Sequence, residues 1–369
     1  MIAPTRSPRR RLLLLALHCA LAASLLVACG QPAANGGKAA WPGPFTPPAK
    51  EEVVPLPVTF PRDEASHDSL TEWWYYTGHL RAEDGARYGF ESVIFQSIRS
   101  DIPPIFSAHT AITDRQRGAF RYDQRMQLTP ASQLGGEVDK GFDFAVGDWS
   151  WRGLDGRDQV AGTVPGYRIA LDLVATKPPV LHKGGYIDYG AAGGTYYYSR
   201  TRMTVSGTIE DNGVLKTVTG EAWFDHQWGN FLTVSHGGWD WFSAHLEDGS
   251  DFTVYLIKGS EQQILGSLGT YVAPDGTATD IPYTDIRIEP IGSWTSPHTG
   301  VVYPSGWRVS LPTYGLDLTW TPVIPDQELD TRQSTANIYW EGEVLIAGTR
   351  NGAPLNGEGY VELTGYDQR

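Results

Sequence analysis

The sequence has very little cysteine and no excess of basic charge. Only two of its 369 residues are cysteines, and both, Cys19 and Cys29, lie within the first 30 residues. The remaining chain therefore has no disulfide, no thiol nucleophile and no cysteine-ligated zinc. The formal net charge is −13 at pH 7. An acidic balance of this kind argues against a nucleic-acid partner and against electrostatic docking to anionic lipid.

Long helical periodicity and the familiar catalytic spacings are missing as well. No segment keeps a 3.6-residue apolar period over three turns, so we expect little helix. The histidines do not occur in a His-Glu-x-x-His pattern, so neither a metal site nor another cofactor is expected. A serine hydrolase is unsupported because the sequence lacks a Gly-x-Ser-x-Gly elbow.

The first 29 residues have the pattern of a bacterial export signal. Four arginines at positions 6–11 precede an apolar run from Leu12 to Val27, which is too short for a good membrane span. The run ends in Val27-Ala28-Cys29-Gly30, which resembles a lipobox and predicts lipidation of Cys29. An ordinary secretory signal with a chance cysteine is the alternative. We expect a lipid-anchored envelope protein that faces the periplasm, with Gly30 favouring the outer membrane.

The rest of the chain divides into a tether and two β domains. Residues 30–56 are rich in Pro, Gly and Ala without apolar periodicity, as in a tether. From about residue 58 the chain shows many short strands, separated by Asp-Gly or Asn-Gly pairs at 84–85, 155–156, 212–213, 248–249, 275–276 and 351–352. These features predict an N-terminal domain over 57–230 and a C-terminal domain over 231–369, each a β-barrel or sandwich.

An internal repeat relates the two predicted domains. Residues 73–80 (Trp-Trp-Tyr-Tyr-Thr-Gly-His-Leu) return at 239–246 as Trp-Asp-Trp-Phe-Ser-Ala-His-Leu. Residues 205–208 and 220–225 return in the same order at 346–349 and 357–362. We therefore expect a duplication in which Trp73 corresponds to Trp239 and Tyr75 to Trp241, with the Trp-rich strands at a shared seam.

Aromatic and ionisable residues are most crowded at residues 220–229 and 239–241. On a strand, Trp223, Asp225 and Gln227 would share one face, and the residues between them would share the other. Asp and His are rarely buried without partners, so their mixture with Trp is typical of a small-molecule pocket. A purely structural aromatic girdle is the alternative interpretation.

Several of these segments resemble the AttH/CrtC-type proteins, a family of double lipocalin-like folds that includes carotenoid 1,2-hydratase. Residues 72–80, 108–114, 178–182, 196–203, 223–229 and 359–366 carry the resemblance. It implies an all-β fold of two tandem lipocalin-like domains with a ligand cleft between them. The chemistry it implies is addition of water to an isoprenoid double bond. His226-Gln227-Trp228 matches a family His-x-Trp motif, whereas Ile257 stands where the resemblance implies an acid.

Hydration of an alkene needs a strong proton donor, a positioned water and a wall that tolerates a carbocation. An Asp or Glu whose pKa is raised by an apolar pocket can donate the proton, and Trp and Tyr faces can stabilise the cationic carbon. We expect Asp225, His226 and Asp240 to be the catalytic residues. The expected ligand-binding residues are Glu72, Trp73, Trp74, Tyr75, His109, Tyr197, Arg202, Trp223, Trp228, Trp239, Trp241 and Tyr255.

Two functional interpretations follow. The first is an envelope lipoprotein that binds an apolar lipid or isoprenoid without chemistry. The second is a hydro-lyase or cyclase acting on a polyene by acid catalysis. Either one predicts an apolar small molecule and the membrane as partners, the latter through the Cys29 anchor, and no nucleic acid.

Overall fold

A computed structural model describes residues 54–99, 102–129, 140–189, 193–230, 237–259 and 263–367. The predicted signal, its lipidation site Cys29 and nearly all of the predicted tether lie outside the described residues. Among the residues that are described, no helix has the length and apolar character needed to cross a membrane.

The described residues are almost entirely β-structure. They contain three short 3-10 turns, at Arg62–Glu64, Tyr283–Asp285 and Pro312–Tyr314, and no α-helix. The predicted all-β class with little helix is thereby confirmed. The strands are β1 Thr71–Ala82, β2 Arg87–Arg99, β3 Ile102–Asp114, β4 Ala119–Leu128, β5 Phe142–Val146, β6 Trp149–Leu154, β7 Arg157–Val164, β8 Tyr167–Ala175, β9 Val180–Asp188, β10 Gly194–Asp211, β11 Val214–Gly229, β12 Trp239–Leu246, β13 Asp251–Lys258, β14 Ile264–Val272, β15 Ala278–Asp280, β16 Arg287–Pro290, β17 Ser293–Thr295, β18 Val302–Pro304, β19 Trp307–Leu311, β20 Leu316–Pro322, β21 Glu328–Asp330, β22 Ile338–Arg350 and β23 Ala353–Thr364.

The strands form two large curled antiparallel sheets. The first has eleven strands in the order β4-β3-β2-β1-β11-β10-β8-β7-β6-β5, with β9 added against β10. The second has ten strands in the order β15-β14-β13-β12-β23-β22-β20-β19-β16, with β21 added against β22. Strands β17 and β18 form a separate small ribbon. The first sheet lies within residues 57–230 and the second within 231–369, and both belong to one compact unit, Val53–Arg369.

The six predicted Asp-Gly and Asn-Gly turns each connect two adjacent antiparallel strands. At three of them both turn residues have positive φ: 52° and 68° at Asp155-Gly156, 50° and 86° at Asn212-Gly213, and 49° and 81° at Asn351-Gly352. This is the backbone of a type I′ turn, which matches the right-handed twist of the flanking strands. The hairpin predictions are confirmed.

The strand register confirms the internal duplication. In the first sheet β1 lies between β2 and β11 and places Tyr75 opposite Asp225. In the second, β12 lies between β13 and β23 and places Trp241 opposite Glu362. The Trp-rich strands therefore occupy the same position in their sheets, with Tyr75 equivalent to Trp241, as the repeat predicts.

The buried apolar side chains of the described residues form four clusters, the smallest of which contains Ala111, Leu329 and Tyr339. Each sheet has its own core, around residues such as Trp74, Phe224 and Trp228 in the first and Trp307 and Trp320 in the second. A third cluster lies between the sheets and contains Tyr75, Val93, Trp223, Trp241 and Tyr360. Alternate residues of β1 and β11 thus face either the first core or the seam between the sheets.

Candidate functional site

A cavity of about 1180 Å³ lies between the two sheets. Its walls come from strands β1–β4, β10 and β11 of the first sheet, from β12, β13, β22 and β23 of the second, and from residues 332–337. We call it the inter-sheet cavity. Its volume is somewhat above the usual range for pockets that enclose a drug-sized ligand.

Aromatic side chains cover much of the cavity wall. Trp73 and Tyr75 project from β1, and Trp239 and Trp241 project from the equivalent positions of β12. Because the residues of each pair are two apart on a strand, both face the same side of their sheet. The duplication therefore places two aromatic pairs on opposite walls of one cavity.

Asp225 lines this cavity with hydrogen bonds only from neutral donors. Its carboxylate accepts the Ser199 hydroxyl, the Tyr197 hydroxyl at 2.8 Å and the Trp223 indole N–H at 2.6 Å. Burial raises the pKa of Asp225 to about 7, and the three hydrogen bonds oppose that shift. The Trp241 indole donates in turn to Tyr197 at 3.3 Å.

Glu91 begins a second hydrogen-bonded chain on the cavity wall. Its Oε1 accepts the Tyr339 hydroxyl at 2.8 Å, whereas its buried Oε2 has no hydrogen-bond partner. His109 Nδ1 lies 2.8 Å from the same tyrosine oxygen, and its Nε2 lies 3.0 Å from Ser334 Oγ. Burial raises the pKa of Glu91 to about 8, and burial lowers the pKa of His109 to about 3. Burial therefore favours a protonated carboxyl group and a neutral imidazole in this chain.

Two further glutamates are buried in the seam. Glu362 lines the cavity and accepts the Trp239 indole N–H at 2.8 Å. Burial raises its pKa to about 7, with the charges of Asp225 and Asp240 acting in the same direction. Glu341 accepts the Tyr75 hydroxyl at 2.7 Å, and burial followed by the charge of Glu91 raises its pKa well above the usual range. The site is therefore a group of carboxyl groups that bind protons at near-neutral pH inside an aromatic enclosure.

Eight of the predicted site residues line the inter-sheet cavity. They are Trp73, Tyr75, His109, Tyr197, Asp225, Trp239, Trp241 and Tyr255. Trp223 lies beside them in the seam cluster and donates to Asp225. The structure thus brings most of the predicted residues together; their roles remain predictions.

The other six predicted residues do not line the inter-sheet cavity, so the prediction that they lie in the ligand cleft is wrong. On their strands, three of them alternate with the cavity-lining residues and therefore face the first core: Trp74, His226 and Trp228. Glu72 lies on the same side as Trp74, where its carboxylate contacts His226. Asp240 is similarly out of phase with Trp241 and accepts Lys258 Nζ at 2.6 Å. Arg202 is held in the seam by ion pairs with Asp251 and Glu221.

Sequence reasoning missed Glu91, Tyr339 and Glu341 as site residues. Glu91 follows Phe90 and precedes Ser92-Val93-Ile94, and Glu341 follows Ile338-Tyr339-Trp340. A single acid inside a strongly apolar strand is a signal for a buried functional carboxyl group, and that signal was available.

Comparison with known proteins gives a consistent result. The AttH-like family model matches residues 51–366. An AttH protein of known structure from Nitrosomonas europaea is 32% identical, with a TM-score of 0.76, over 85% of this chain and 98% of that chain. Kievitone hydratase from Nectria haematococca is 17% identical, with a TM-score of 0.67, over 84% of this chain and 93% of that chain, and this likeness concerns the fold alone. No curated protein matches the sequence.

Proposed function

The chain belongs to the AttH-like family, and from this premise we propose that it binds an apolar, isoprenoid-like molecule in the inter-sheet cavity and adds water across one of its double bonds. The observation that carries the proposal is the pair Glu91 and Glu362, two buried carboxyl groups on an aromatic cavity wall whose pKa values are raised to about 8 and about 7. The shared fold with a hydratase is in keeping with it.

The two carboxyl groups are suited to different roles. Burial favours the protonated form of both, so the distinction comes from their contacts. Glu91 Oε2 has no hydrogen-bond partner among the described residues and can present a proton to a ligand. Glu362 Oε2 accepts the Trp239 indole N–H, which supports the negative charge that a base must carry. We assign Glu91 as the proton donor and Glu362 as the base.

The reaction then has two steps. Glu91 gives its proton to the less substituted carbon of the alkene; the π electrons form the new C–H bond and leave a tertiary carbocation on the other carbon. The faces of Trp73 and Trp239 stabilise this positive charge. A water oxygen bonds to the cationic carbon, and Glu362 takes the proton released from that water. Proton return from Glu362 to Glu91 through solvent restores the starting state.

A carrier without chemistry is the second candidate, favoured by the aromatic cavity wall itself. It would use the same wall but would not need protonated carboxyl groups. A substitution that removes the proton donor without changing the shape of the cavity separates the two functions.

The test uses Glu91→Gln, with the exposed Glu289→Gln as a matched control. Purified protein is incubated with a linear isoprenoid polyene, and the product is analysed by mass spectrometry for the gain of one water. Binding of the same probe is followed by tryptophan fluorescence. We expect Glu91→Gln to bind about as well as wild type and to lose at least ~100-fold in turnover, the usual contribution of a general acid.

Binding has its own variant. Trp241→Ala should weaken binding of the probe by about 1–3 kcal/mol, the scale for one large apolar side chain. Trp294→Ala, a tryptophan of the β17–β18 ribbon outside the cavity wall, should not. If wild type binds the probe but never adds water, only the carrier function remains. If Glu91→Gln turns over as fast as wild type, Glu91 is not the proton donor.

A further inference from the structure

Three metal-ligating side chains meet on the face of β1 and β11 opposite the inter-sheet cavity. Glu72 Oε1 lies 2.7 Å from His67 Nδ1 and 2.8 Å from His226 Nε2. One ligand atom from each of the three residues lies within 4.8 Å of the others. The sequence spacing does not predict this group, because its members come from the segment before β1, from β1 itself and from β11.

The surroundings hold these side chains in position. The ring of His67 stacks on Trp228 with centroids 4.1 Å apart, and the ring of His226 stacks on Trp74 at 4.5 Å. The second oxygen of Glu72 accepts the His67 backbone N–H at 2.8 Å and the Gln96 amide at 3.1 Å. Glu72 and His226 are fully buried, so little rearrangement of their rings or carboxylate is available.

We propose that His67, Glu72 and His226 bind a zinc-type divalent cation through Nδ1, Oε1 and Nε2. Two histidines and one carboxylate are a common protein ligand set for zinc, which prefers imidazole nitrogen and carboxylate oxygen at about 2.0–2.2 Å. The cation replaces the two N–H groups that now point at Glu72 Oε1, and each ring remains a neutral ligand by carrying its proton on its other nitrogen. For His67 that nitrogen is Nε2, 3.5 Å from Asp63 Oδ1, and for His226 it is the buried Nδ1, which has no hydrogen-bond partner among the described residues.

The site can open by the small distance that the cation requires. Ligand atoms around a tetrahedral zinc are about 3.3 Å apart, so each contact with Glu72 Oε1 must lengthen by about half an ångström. His67 can make this adjustment, because it belongs to the segment before β1 and its side chain is 22% exposed. The same exposure gives a cation and a fourth ligand a route to the site.

Asp63 completes the arrangement as a positioning residue. Its Oδ1 lies 3.5 Å from His67 Nε2, the ring nitrogen that would not bind the metal. A carboxylate that receives the second N–H of a ligating histidine fixes its ring and makes it a better ligand. Arg62 pairs with the same carboxylate, so the negative charge left for a divalent cation comes mainly from Glu72.

A bound cation would fasten the segment before β1 to the first sheet. His67 lies on that segment, whereas Glu72 and His226 lie on the paired strands β1 and β11. The consequence is a metal with three protein ligands and one exchangeable position, on the face of the first sheet opposite the inter-sheet cavity and separate from the chemistry proposed there.

The test measures zinc and cobalt directly. Purified protein is stripped with a chelator, dialysed against micromolar Zn²⁺ and analysed for bound metal; Co²⁺ replaces Zn²⁺ for the visible spectrum of a tetrahedral site. We expect one metal per chain in wild type, none in His67→Ala, and one in the control His298→Ala, whose histidine is exposed and far along the chain. The melting temperature of wild type should rise with Zn²⁺ and fall back with chelator.

Asp63→Asn keeps all three ligands and separates positioning from folding. It should retain one metal with about 10–100-fold weaker affinity, the usual loss for such a partner. Absence of stoichiometric metal in wild type would overturn the proposal. Equal metal content in wild type and His67→Ala would do so too, as would equal loss in His298→Ala.

Discussion

The buried acids of the seam fall into two groups with different partners. Acids on or beside the inter-sheet cavity accept hydrogen bonds from neutral donors: Asp225 from Tyr197, Glu91 from Tyr339 and Glu341 from Tyr75. Acids elsewhere in the seam pair with cations. Glu343 binds Arg115 at 2.6 Å, and Asp251 binds both Arg202 and Lys177.

This division has a direct electrostatic consequence. A cation partner stabilises the charged form of a buried carboxylate, whereas a neutral donor compensates only part of the cost of its burial. The pKa values of the acids near the cavity are therefore raised towards or above neutrality. Protonated carboxyl groups on the cavity wall are what the proposed proton transfer to a ligand requires.

The raised pKa of Glu362 predicts how the stability of the folded protein changes with pH. Its folded-state pKa of about 7 lies above the ordinary value of 4.5, so between these values the folded protein binds more protons than the unfolded chain. The free energy of unfolding therefore falls as pH rises through this window, and the loss is complete above about pH 7. Melting temperatures measured from pH 4 to pH 9 should show wild type losing more stability than Glu362→Gln across that window.

The control for this measurement is Glu289→Gln, an exposed glutamate that should follow the wild-type curve. A Glu362→Gln curve parallel to wild type between pH 4.5 and 7 would show that Glu362 is not held protonated by its burial.

At the scale of the strand, alternation determines which residues could be located from the sequence. The prediction that Trp223, Asp225 and Gln227 share one face is confirmed, and Phe224 and Trp228 face the first core. The same rule, applied consistently, excludes Trp74 and Asp240 from the cavity. Their residue types suggested a place in the site, whereas strand alternation puts their side chains on the opposite face of the sheet.

Partners that are distant in sequence could not be found in this way. Tyr75 donates to Glu341, which is 266 residues away, and His109 approaches Tyr339, which is 230 residues away. Strand periodicity orients a side chain but does not identify what it meets across the seam. The Glu91–Tyr339–His109 chain therefore required three-dimensional information.

Glycine in β1 provides a prediction at the scale of the element. A Cβ on Gly78 would lie 2.6 Å from the Glu221 backbone oxygen and 2.6 Å from the Phe90 ring. Neither atom can withdraw freely, because one is backbone and the other is a buried ring. Gly78→Ala should lower the free energy of unfolding by about 1–3 kcal/mol, the cost of overpacking a core.

Gly266 in β14 is the matched control, since a Cβ there would have no heavy atom within 4 Å. Gly266→Ala should be neutral or slightly stabilising, because alanine reduces the entropy of the unfolded chain. Equal denaturant midpoints for both variants would contradict the close approach of β1 and β11 at Gly78.

At the scale of the whole molecule, the duplication explains why the cavity has acids on both walls. Asp225 and Glu362 hold equivalent places opposite Tyr75 and Trp241, and each accepts an indole N–H, from Trp223 and Trp239 respectively. The two halves have diverged in side chain but retain a carboxyl group at the same position. The repeat made the seam predictable, while its detailed chemistry depends on how the two sheets face each other.

The attachment of the molecule to a membrane is a proposal that depends on the segment outside the described residues. The apolar run from Leu12 to Val27 followed by Ala28-Cys29-Gly30 supports lipidation of Cys29 and an envelope location facing the periplasm. Lipid at this position would hold the folded body near a membrane, where an apolar ligand for the inter-sheet cavity is concentrated.

Cys29→Ser tests this attachment in a bacterial host. We expect wild type to be processed to mature length, to remain with the membrane fraction and to leave it only in detergent, because two or more acyl chains give stable anchoring. The variant should accumulate as an uncleaved precursor or appear in the soluble fraction. Immunoblots of fractionated cells, with and without globomycin, distinguish these outcomes.

Cys19→Ser is the matched control, since it changes the other cysteine of the signal and should be processed and sorted normally. A Cys29→Ser protein that is cut to mature length and stays in the membrane despite globomycin would rule out the lipid anchor and leave an ordinary secretory signal.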